Sequence, residues 1–446
     1  MHPHREEIET ARRQSFRRMS KEIYLKRVIE QIPRLLTQQD RCEDSPTYGC
    51  FDRSYWHYKI QNFPCARYQE ASYTLALLYS IKSNINPYYK NEKIRRWAIA
   101  GMNFWKKINA GDEWYFNEHS FVSTSFSTLA VMEVYNIFKL NDAEIEEAIV
   151  KSLKWIERHD EPLVANQLAG SILALDTYLA RKPLYGVAYD THMFQERLDK
   201  LLSSQNEEGW FSEYGGFDVG YSYILLDYLA RLWKNSKDKR DAADKLIEFL
   251  SYFIHPDGTT GGIYTSRQTT YIIPSGLEIF SENPIARAIA DIELKNLQER
   301  PILWDDRYLC YQLYYHLIAY LNHKKTKPAK LPYQKMVGEH FSESGLHVNS
   351  DGKGNYIIKN DDGRFVVYED YKLSLCSKLQ HSKSHLMNPY TTILMNIFQL
   401  TFGRSDIISK FVKKKLRQKL ILNKKGKSNI YVPSARYFNK NELRWK

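Results

Sequence analysis

The chain has 446 residues, of which 43% are hydrophobic and 14% aromatic, including 33 Tyr and 9 Trp. This length is too great for one ordinary core and suits two or three domains. The net charge of +12 is concentrated in residues 409–446, where there are 13 Lys and Arg and one Glu, so the rest of the chain is neutral, which argues against a nucleic-acid-binding body.

The N-terminal segment, residues 1–44, predicts a solvated helix that ends near Gln39. It is rich in Arg but lacks the apolar segment of a secretory signal, and no run of about 18 apolar residues occurs anywhere in the chain. The five Cys form no pair with metal-ligand spacing, and their odd number fits a reducing compartment. We therefore expect a cytoplasmic protein with no metal and no other cofactor.

Helical periodicity dominates the middle of the chain, and cap-like residues such as Asp142, Asp160 and Asp218 precede several segments. The segments are 66–82, 92–109, 119–140, 143–158, 162–181, 192–204, 219–235, 239–254, 284–299 and 304–323. Five antiparallel pairs of this kind form an open solenoid or a closed toroid. The run ANQLAGSILALDTYLA is apolar on nearly every face, as an inner-ring helix must be, so we expect a closed α/α toroid over residues 45–325.

The pattern changes after the toroid. Residues 326–388 alternate like strands, with turns at Asp351-Gly352 and Asp362-Gly363, and predict a small antiparallel β-rich segment. Residues 389–446 predict a helical and basic C-terminal tail. Within it, residues 409–427 are basic and amphipathic, which favours binding to an anionic membrane surface on the inner face of the membrane. A solubilising tail and an RNA-binding tail are the alternatives.

Polar side chains are concentrated in the loops that lead into the first helix of each pair. In a toroid these loops share one rim, where helix N-termini also favour anions. The loops are 52–70, 111–121, 161–170, 205–221 and 257–271.

These loops bring together the residue types that β-elimination from a uronic acid needs. The reaction must neutralise the sugar carboxylate, remove the C5 proton and protonate the leaving oxygen, while Trp faces hold the rings. The candidate catalytic residues are His119, Asn166, Tyr214 and Tyr221. The candidate substrate-binding residues are Arg67, Trp114, Asn117, Trp210, Glu213 and Arg267. Structural roles remain open for several of them, such as an ion pair for Arg67 and an ordinary surface position for Glu213. Asp218, in the same loop as Glu213, is open to a role as a helix cap.

Four stretches of the sequence resemble the helical part of heparinase II/III-like proteins, which are found among bacterial exopolysaccharide and capsule genes. The stretches are DRSYWHYKIQNFPCARYQEASYTLALLY, NEHSF, VANQLAGSILAL and EGWFSEYGGFDVGY. The resemblance covers about residues 45–325 and implies an α/α toroid, a following β-sheet domain and polysaccharide lyase chemistry. It also implies that the family's Asn, His and Tyr fall on Asn166, His119 and Tyr214 or Tyr221, with Arg67 or Arg267 as the carboxylate partner.

Two departures separate the chain from secreted lyases of this family, which carry a signal peptide and a larger β-domain. The predicted function is therefore action on a uronate-containing polysaccharide or oligosaccharide in exopolysaccharide metabolism, by β-elimination if the site is active. The alternative is a non-catalytic glycan-binding or scaffold protein at the membrane. A terpenoid-cyclase-like toroid is less well supported, because QNEEGW is a single copy of a motif that such enzymes repeat.

Overall fold

The protein was analysed as a computed structural model that describes residues 20–109, 120–181, 193–234 and 240–378. Thirteen α-helices occupy these ranges and precede five β-strands. The helices are α1 (Glu22–Gln38), α2 (Arg53–Trp56), α3 (Ala71–Ser80), α4 (Glu92–Ile108), α5 (Phe121–Phe138), α6 (Ala143–Arg158), α7 (Ala165–Arg181), α8 (Met193–Ser203), α9 (Val219–Leu232), α10 (Asp241–Ser251), α11 (Pro274–Ile279), α12 (Pro284–Glu299) and α13 (Asp306–Asn322). The predicted helical tail, with its basic segment 409–427, lies outside the described residues.

Six helices form an inner ring: α3, α5, α7, α9, α11 and α13 contact one another in that order. Their residues are buried along most of their length, because a helix surrounded on all sides must be apolar on all sides. Six further helices, α1, α4, α6, α8, α10 and α12, pack outside this ring. The outer helices expose a charged face, and Asp142 caps α6 as predicted, whereas Asp160 caps no helix because α7 begins only at Ala165.

The ring is closed, because its last inner helix packs against its first. Tyr314 of α13 and Tyr73 of α3 have ring centroids 5.0 Å apart. Aromatic side chains also fill the centre, where the hydroxyls of Tyr228 in α9 and Tyr315 in α13 lie 3.1 Å apart. The molecule is therefore mainly α with a closed α/α toroid, as predicted, and an open solenoid is excluded.

The first helix completes the outer ring. Tyr24, Leu25, Val28, Ile32 and Leu35 are all fully buried against α12 and α13. The expectation of a solvated helix is wrong for this segment, because its apolar residues recur at helical spacing on one face and that face needs a partner.

The sheet is a simple antiparallel meander in which each strand pairs with the next along the chain. Its strands are β1 (Met336–Phe341), β2 (Leu346–Asp351), β3 (Tyr356–Asn360), β4 (Arg364–Glu369) and β5 (Lys372–Lys378). Gly352 and Gly363 take the positive φ angles of 66° and 87° that the two predicted turns require. One face of β2 is buried and the other is partly exposed, so one side of the sheet covers the helical ring.

Aromatic packing attaches the sheet to the helical ring. The ring of Phe341 lies 4.9 Å from that of Phe249 in α10 and 5.0 Å from that of Tyr252. Arg364 Nη1 donates to the carbonyl oxygens of Ile263 (2.8 Å) and Thr265 (2.7 Å) in the loop before α11. Among the described helices, none is both long and apolar enough to span a bilayer.

Candidate functional site

The N-termini of the inner helices meet at one rim of the toroid. Each inner helix alternates with an outer helix of opposite direction, so the inner helices all run the same way. A cavity of about 490 Å³ opens among these N-termini. It is lined by Arg67, Tyr221, Ser266, Arg267, Gln268, Thr269, Arg307, Tyr308 and Tyr311. Within the described ranges, no group of His, Cys and carboxylate side chains with metal-binding spacing lines this cavity.

Arg67 enters the cavity wall from the turn before α3. Its guanidinium lies 3.9 Å from the ring centroid of Tyr311 and 4.7 Å from that of Phe126. Arg67 Nε also donates to Glu70 Oε1 over 2.7 Å. Burial opposes the charged form, but Glu70 and the nearby tyrosines Tyr311 and Tyr228 together outweigh it and raise the pKa of Arg67 well above its ordinary value. Arg67 therefore has the structural ion pair left open by the sequence, and it presents a largely neutralised cation to the cavity.

Asn166 and Glu213 form a buried pair beneath the rim. The backbone N–H of Asn166 donates to Glu213 Oε1 over 2.9 Å, and Asn166 Nδ2 donates to Glu213 Oε2 over 2.5 Å. Burial raises the pKa of Glu213 well above its ordinary value, although both bonds from Asn166 act in the opposite direction. In this arrangement the Asn166 amide holds Glu213 and does not reach the surface of the rim.

Tyr214 follows this buried pair and stands on the surface with 42% of its area exposed. Its backbone has a φ of 59°, a left-handed conformation that costs about 1–3 kcal/mol for a residue other than Gly. The Tyr214 hydroxyl accepts a 2.9 Å hydrogen bond from Gln167 Nε2, next to Asn166 in the chain. The Asn166–Glu213 pair and Gln167 together fix the position and direction of the Tyr214 ring.

Arg267 reaches over Tyr214 from the loop before α11. Its guanidinium lies 4.5 Å from the centroid of the Tyr214 ring. The backbone N–H of Arg267 donates to Asp218 Oδ2 over 3.1 Å. Asp218 also caps α9, as predicted, so a single carboxylate ties this loop to the helix that carries Tyr221.

Tyr221 lies in the first turn of α9 and forms part of the cavity wall. Its ring centroid lies 5.5 Å from that of Tyr214, so two phenols stand side by side at the rim. Burial raises the pKa of both hydroxyls above the ordinary value for tyrosine. Both phenols are therefore protonated at neutral pH and can act as proton donors.

A second cavity, of about 460 Å³, continues the cleft along α13. It shares Arg267, Gln268, Thr269 and Tyr308 with the first. Its own wall includes Tyr271, Leu303, Trp304, Asp305 and Gln312. Gln312 is buried, and neither its amide oxygen nor its amide nitrogen has a hydrogen-bond partner among the described residues. Because a buried amide without partners is costly, Gln312 is suited to bind a polar ligand.

Trp210 lines neither cavity and lies at the junction with the sheet. Its Nε1 donates to Glu208 Oε2 over 2.9 Å, and its ring packs 6.3 Å from that of Phe217. The carboxylate of Glu208 also accepts bonds from the backbone N–H groups of Glu343 and Ser344. The sugar-platform role of Trp210 stays a prediction. The other predicted residues, Trp114, Asn117 and His119, lie outside the described residues.

Comparison with known proteins gives similarity of fold but no match of sequence. No protein-family model matches the chain, and no curated protein matches it in sequence. A solved structure of a xanthan lyase from Paenibacillus matches 81% of this chain with a TM-score of 0.53 and 11% sequence identity. The fold is similar to that of a polysaccharide lyase. The match covers 41% of the xanthan lyase, so this chain spans about two fifths of that enzyme's length.

The sequence did not predict one wall of this cleft. Arg307, Tyr308 and Tyr311 lie on the first turns of α13 and supply one wall of the first cavity. The rule that led to the other candidates, polar residues at the start of an inner helix, applies equally to the run Asp305 to Tyr311. Asp305 caps α13 by accepting a hydrogen bond from the backbone N–H of Tyr308 over 2.8 Å, so this Asp in the sequence could have predicted where the helix begins.

Proposed function

We propose that the cleft binds an acidic, uronate-containing oligosaccharide or polysaccharide and cleaves it by β-elimination. The observation that carries this proposal is the first cavity, where three Arg and three Tyr side chains converge and, within the part of the chain that the structure describes, no carboxylate belongs to the lining. Arg267 and Arg307 make this wall cationic, which selects an anionic ligand, and phenolic rings bind the apolar faces and hydroxyls of sugars.

Two arginines are suited to hold the sugar carboxylate. Arg267 and Arg307 are exposed, and neither forms an ion pair with another described residue. Their guanidinium groups can each donate two parallel hydrogen bonds to a carboxylate. Pairing of this kind withdraws negative charge from the carboxylate and so makes the neighbouring C5 proton more acidic.

The elimination then needs one proton acceptor and one proton donor. A base removes the proton at C5, the electron pair forms the C4–C5 double bond, and the bond from C4 to the leaving oxygen breaks. We assign donation of a proton to that oxygen to Tyr221, since its raised pKa keeps the hydroxyl protonated. We assign the base to His119, which precedes the α5 N-cap Ser120 in the chain, and give Tyr214 a supporting role beside Arg267.

The second cavity offers a neighbouring sugar subsite. Trp304 is partly buried on its wall and offers an aromatic platform. Gln312 and the hydroxyl of Tyr271 are buried polar groups without described partners, and sugar hydroxyls would satisfy them. We therefore propose Trp304, rather than Trp210, as the stacking residue of this subsite.

The comparisons support the same class of substrate. The xanthan lyase is named for a polysaccharide that it cleaves, and its fold is similar over most of this chain. The stretches that resemble heparinase II/III-like proteins run through the same loops and support a role in exopolysaccharide metabolism. Identity of 11% is too low to transfer a substrate, so the uronate assignment rests on the cavity itself.

The proposal is tested by incubating the protein with a panel of uronate polymers and recording unsaturated, ultraviolet-absorbing products. Calorimetry on the same panel measures binding alone. Products from at least one polymer are expected. Binding without products would favour the alternative, a non-catalytic glycan-binding protein. If the folded protein shows no binding and forms no products with any polymer of the panel, the proposal is overturned.

Substitutions separate the assigned roles. Arg267→Ala or Arg307→Ala should weaken binding of uronate ligands about 10- to 100-fold, because each removes a charge-assisted contact. Tyr221→Phe should lower turnover about 100- to 10,000-fold and leave binding nearly unchanged, because it removes only the donated proton. The matched controls are Arg300→Ala and Tyr89→Phe, which alter exposed residues outside both cavities. Equal effects from control and site variants would contradict these assignments.

A further inference from the structure

A second cluster of chemically capable side chains lies on the outer face of the sheet. His340 in β1 and His347 in β2 are directly opposed in the antiparallel register. Their imidazole rings are stacked, with centroids 4.1 Å apart and planes within 5° of parallel. The neighbouring pair Phe341 and Leu346 faces the helical ring, so the alternation of the strands puts both histidines on the opposite side.

An acidic side chain completes the cluster. Asp361 lies in the turn between β3 and β4, and its Oδ1 is 2.8 Å from His347 Nε2. Its backbone N–H donates to the carbonyl of Gly345 over 2.9 Å, which fixes this turn against the turn between β1 and β2. One ligand atom from each of His340, His347 and Asp361 can be chosen so that all three lie within 4.8 Å of one another.

We propose that His340, His347 and Asp361 form a binding site for a divalent transition-metal ion, with zinc as the preferred ion. Two imidazole nitrogens and one carboxylate oxygen are a ligand set that suits zinc, and a fourth position is left for water. Calcium and magnesium are disfavoured because they prefer oxygen ligands. The site is separate from the proposed glycan cleft, whose lining residues belong to the helical ring.

The fold itself pre-forms much of this site. Opposed positions on paired strands hold their side chains close together, and the hydrogen bond between the turns places the third ligand. The ion would link the edge strand β1 to β2 and to the β3–β4 turn. Because an edge strand has a partner on one side only, such a link would stabilise one of the two edge strands of the sheet.

The test uses the full chain after treatment with a chelator. Zinc is titrated by calorimetry into wild-type protein and into the double variant His340→Asn/His347→Asn. The variant should bind one zinc equivalent fewer, and Asp361→Asn should weaken that site more than about tenfold. Zinc should also raise the Tm of the wild type more than that of the double variant.

The control is His57→Asn, which removes an exposed histidine that belongs to no described metal-binding group. It should keep the wild-type stoichiometry. Histidines in the remaining chain contribute the same background to every variant. Equal zinc stoichiometry in the wild type and the folded double variant would overturn the proposal, as would a wild type that binds no zinc.

Discussion

Tyr214 holds a backbone conformation that tyrosine rarely adopts, and the groups beneath it explain how. The preceding residue, Glu213, is fixed on both carboxylate oxygens by Asn166, and its carbonyl accepts a 2.7 Å bond from the Ser266 hydroxyl. Gln268 on the facing loop also has a φ of 59°. Left-handed residues other than Gly or Asn concentrate at functional sites, where the surrounding structure maintains the strain. Two such residues flank this cleft.

Glu213 should give the protein a distinctive dependence of stability on pH. Its pKa in the folded state is raised by burial above the ordinary 4.5. Below pH 4.5 the carboxyl is protonated in both states, and above it only the unfolded chain loses the proton. The wild type should therefore lose stability relative to Glu213→Gln as pH rises from 4.5, by at most about 1.4 kcal/mol per pH unit. Urea unfolding of both proteins between pH 4 and 8 measures this difference.

The direction of the effect separates it from a simple loss of contacts. A constant difference between Glu213→Gln and the wild type across the pH range would mean that Glu213 has the same pKa in the folded and unfolded states.

At the scale of the elements, Asp218 organises the start of α9 together with the loop before α11. Its carboxylate accepts hydrogen bonds from the backbone N–H groups of Tyr221, Arg267 and Thr269 and from the hydroxyls of Thr265 and Thr269. One buried carboxylate thus satisfies a helix terminus and a loop at once. Arg267 and Tyr221 keep their relative positions because they share this acceptor.

Replacement of Asp218 should therefore affect both stability and binding. Asp218→Ala should lower the free energy of unfolding by at least about 2 kcal/mol, since it removes a cap and leaves buried donors without partners. It should also weaken uronate binding, because Arg267 loses its backbone anchor. The matched control is Asp142→Ala, which removes the cap of the outer helix α6 and should cost about 1 kcal/mol without changing binding. If both variants bind ligand like the wild type, Asp218 does not position the cleft.

The sequence predicted the long helices well because each shows several turns of apolar periodicity. It did not predict α2 and α11, whose four and six residues are too short to show a period. The assignment of α1 to solvent failed for another reason. Its charged outer face is prominent in the sequence, whereas its partner face on α12 and α13 comes from residues more than 200 positions away, as the hydrogen bond from Arg27 Nε to the carbonyl oxygen of Leu297 in α12 illustrates.

The candidate cleft was predictable in outline but not in detail. Arg67, Tyr221 and Arg267, which were predicted to share one rim, line the first cavity together. The ion pair of Arg67 with Glu70 and the inward orientation of Asn166 onto Glu213 were not predictable, because these contacts depend on tertiary packing. His340 and His347 also escaped notice, since only the strand register brings them together.

At the scale of the whole molecule, His255 joins the helical ring to the sheet. It is buried, and its Nε2 lies 2.8 Å from the hydroxyl of Tyr264 while its Nδ1 lies 2.9 Å from the hydroxyl of Tyr368 in β4. Burial lowers the pKa of His255 to about 4, although Asp257 acts in the opposite direction. The imidazole at this junction is therefore neutral at physiological pH.

The junction should weaken in acid. Below pH 6.5 the unfolded chain binds a proton at His255 that the folded protein excludes, so stability falls until the pH reaches about 4. Over this interval the free energy of unfolding of the wild type should fall by roughly 3 kcal/mol, and that of His255→Gln should not show this fall. The variant should be less stable than the wild type at pH 7, because it loses the bonds to Tyr264 and Tyr368. Parallel pH profiles for the two proteins would show that His255 does not contribute to acid sensitivity.

The basic segment 409–427, which lies outside the described residues, carries the remaining prediction for the whole chain. Each Lys or Arg near an anionic surface contributes about 1 kcal/mol to the free energy of binding, so the full chain should sediment with anionic vesicles, and added salt should reduce this sedimentation. Deletion of residues 409–446 should abolish the sedimentation with vesicles. Equal behaviour with anionic and neutral vesicles would contradict membrane attachment through this segment.

The closed ring has a consequence for how the protein is made. The hydrogen bond from Tyr24 to Glu278 joins residues 254 positions apart. At about 5–20 residues per second, a ribosome needs on the order of 10–50 s to synthesise the intervening chain. During this interval the apolar face of α1 has no partner from its own ring. The nascent chain therefore exposes the apolar face of α1 for a longer time than most local folding steps take. It should depend on chaperones until α13 emerges and the ring can close.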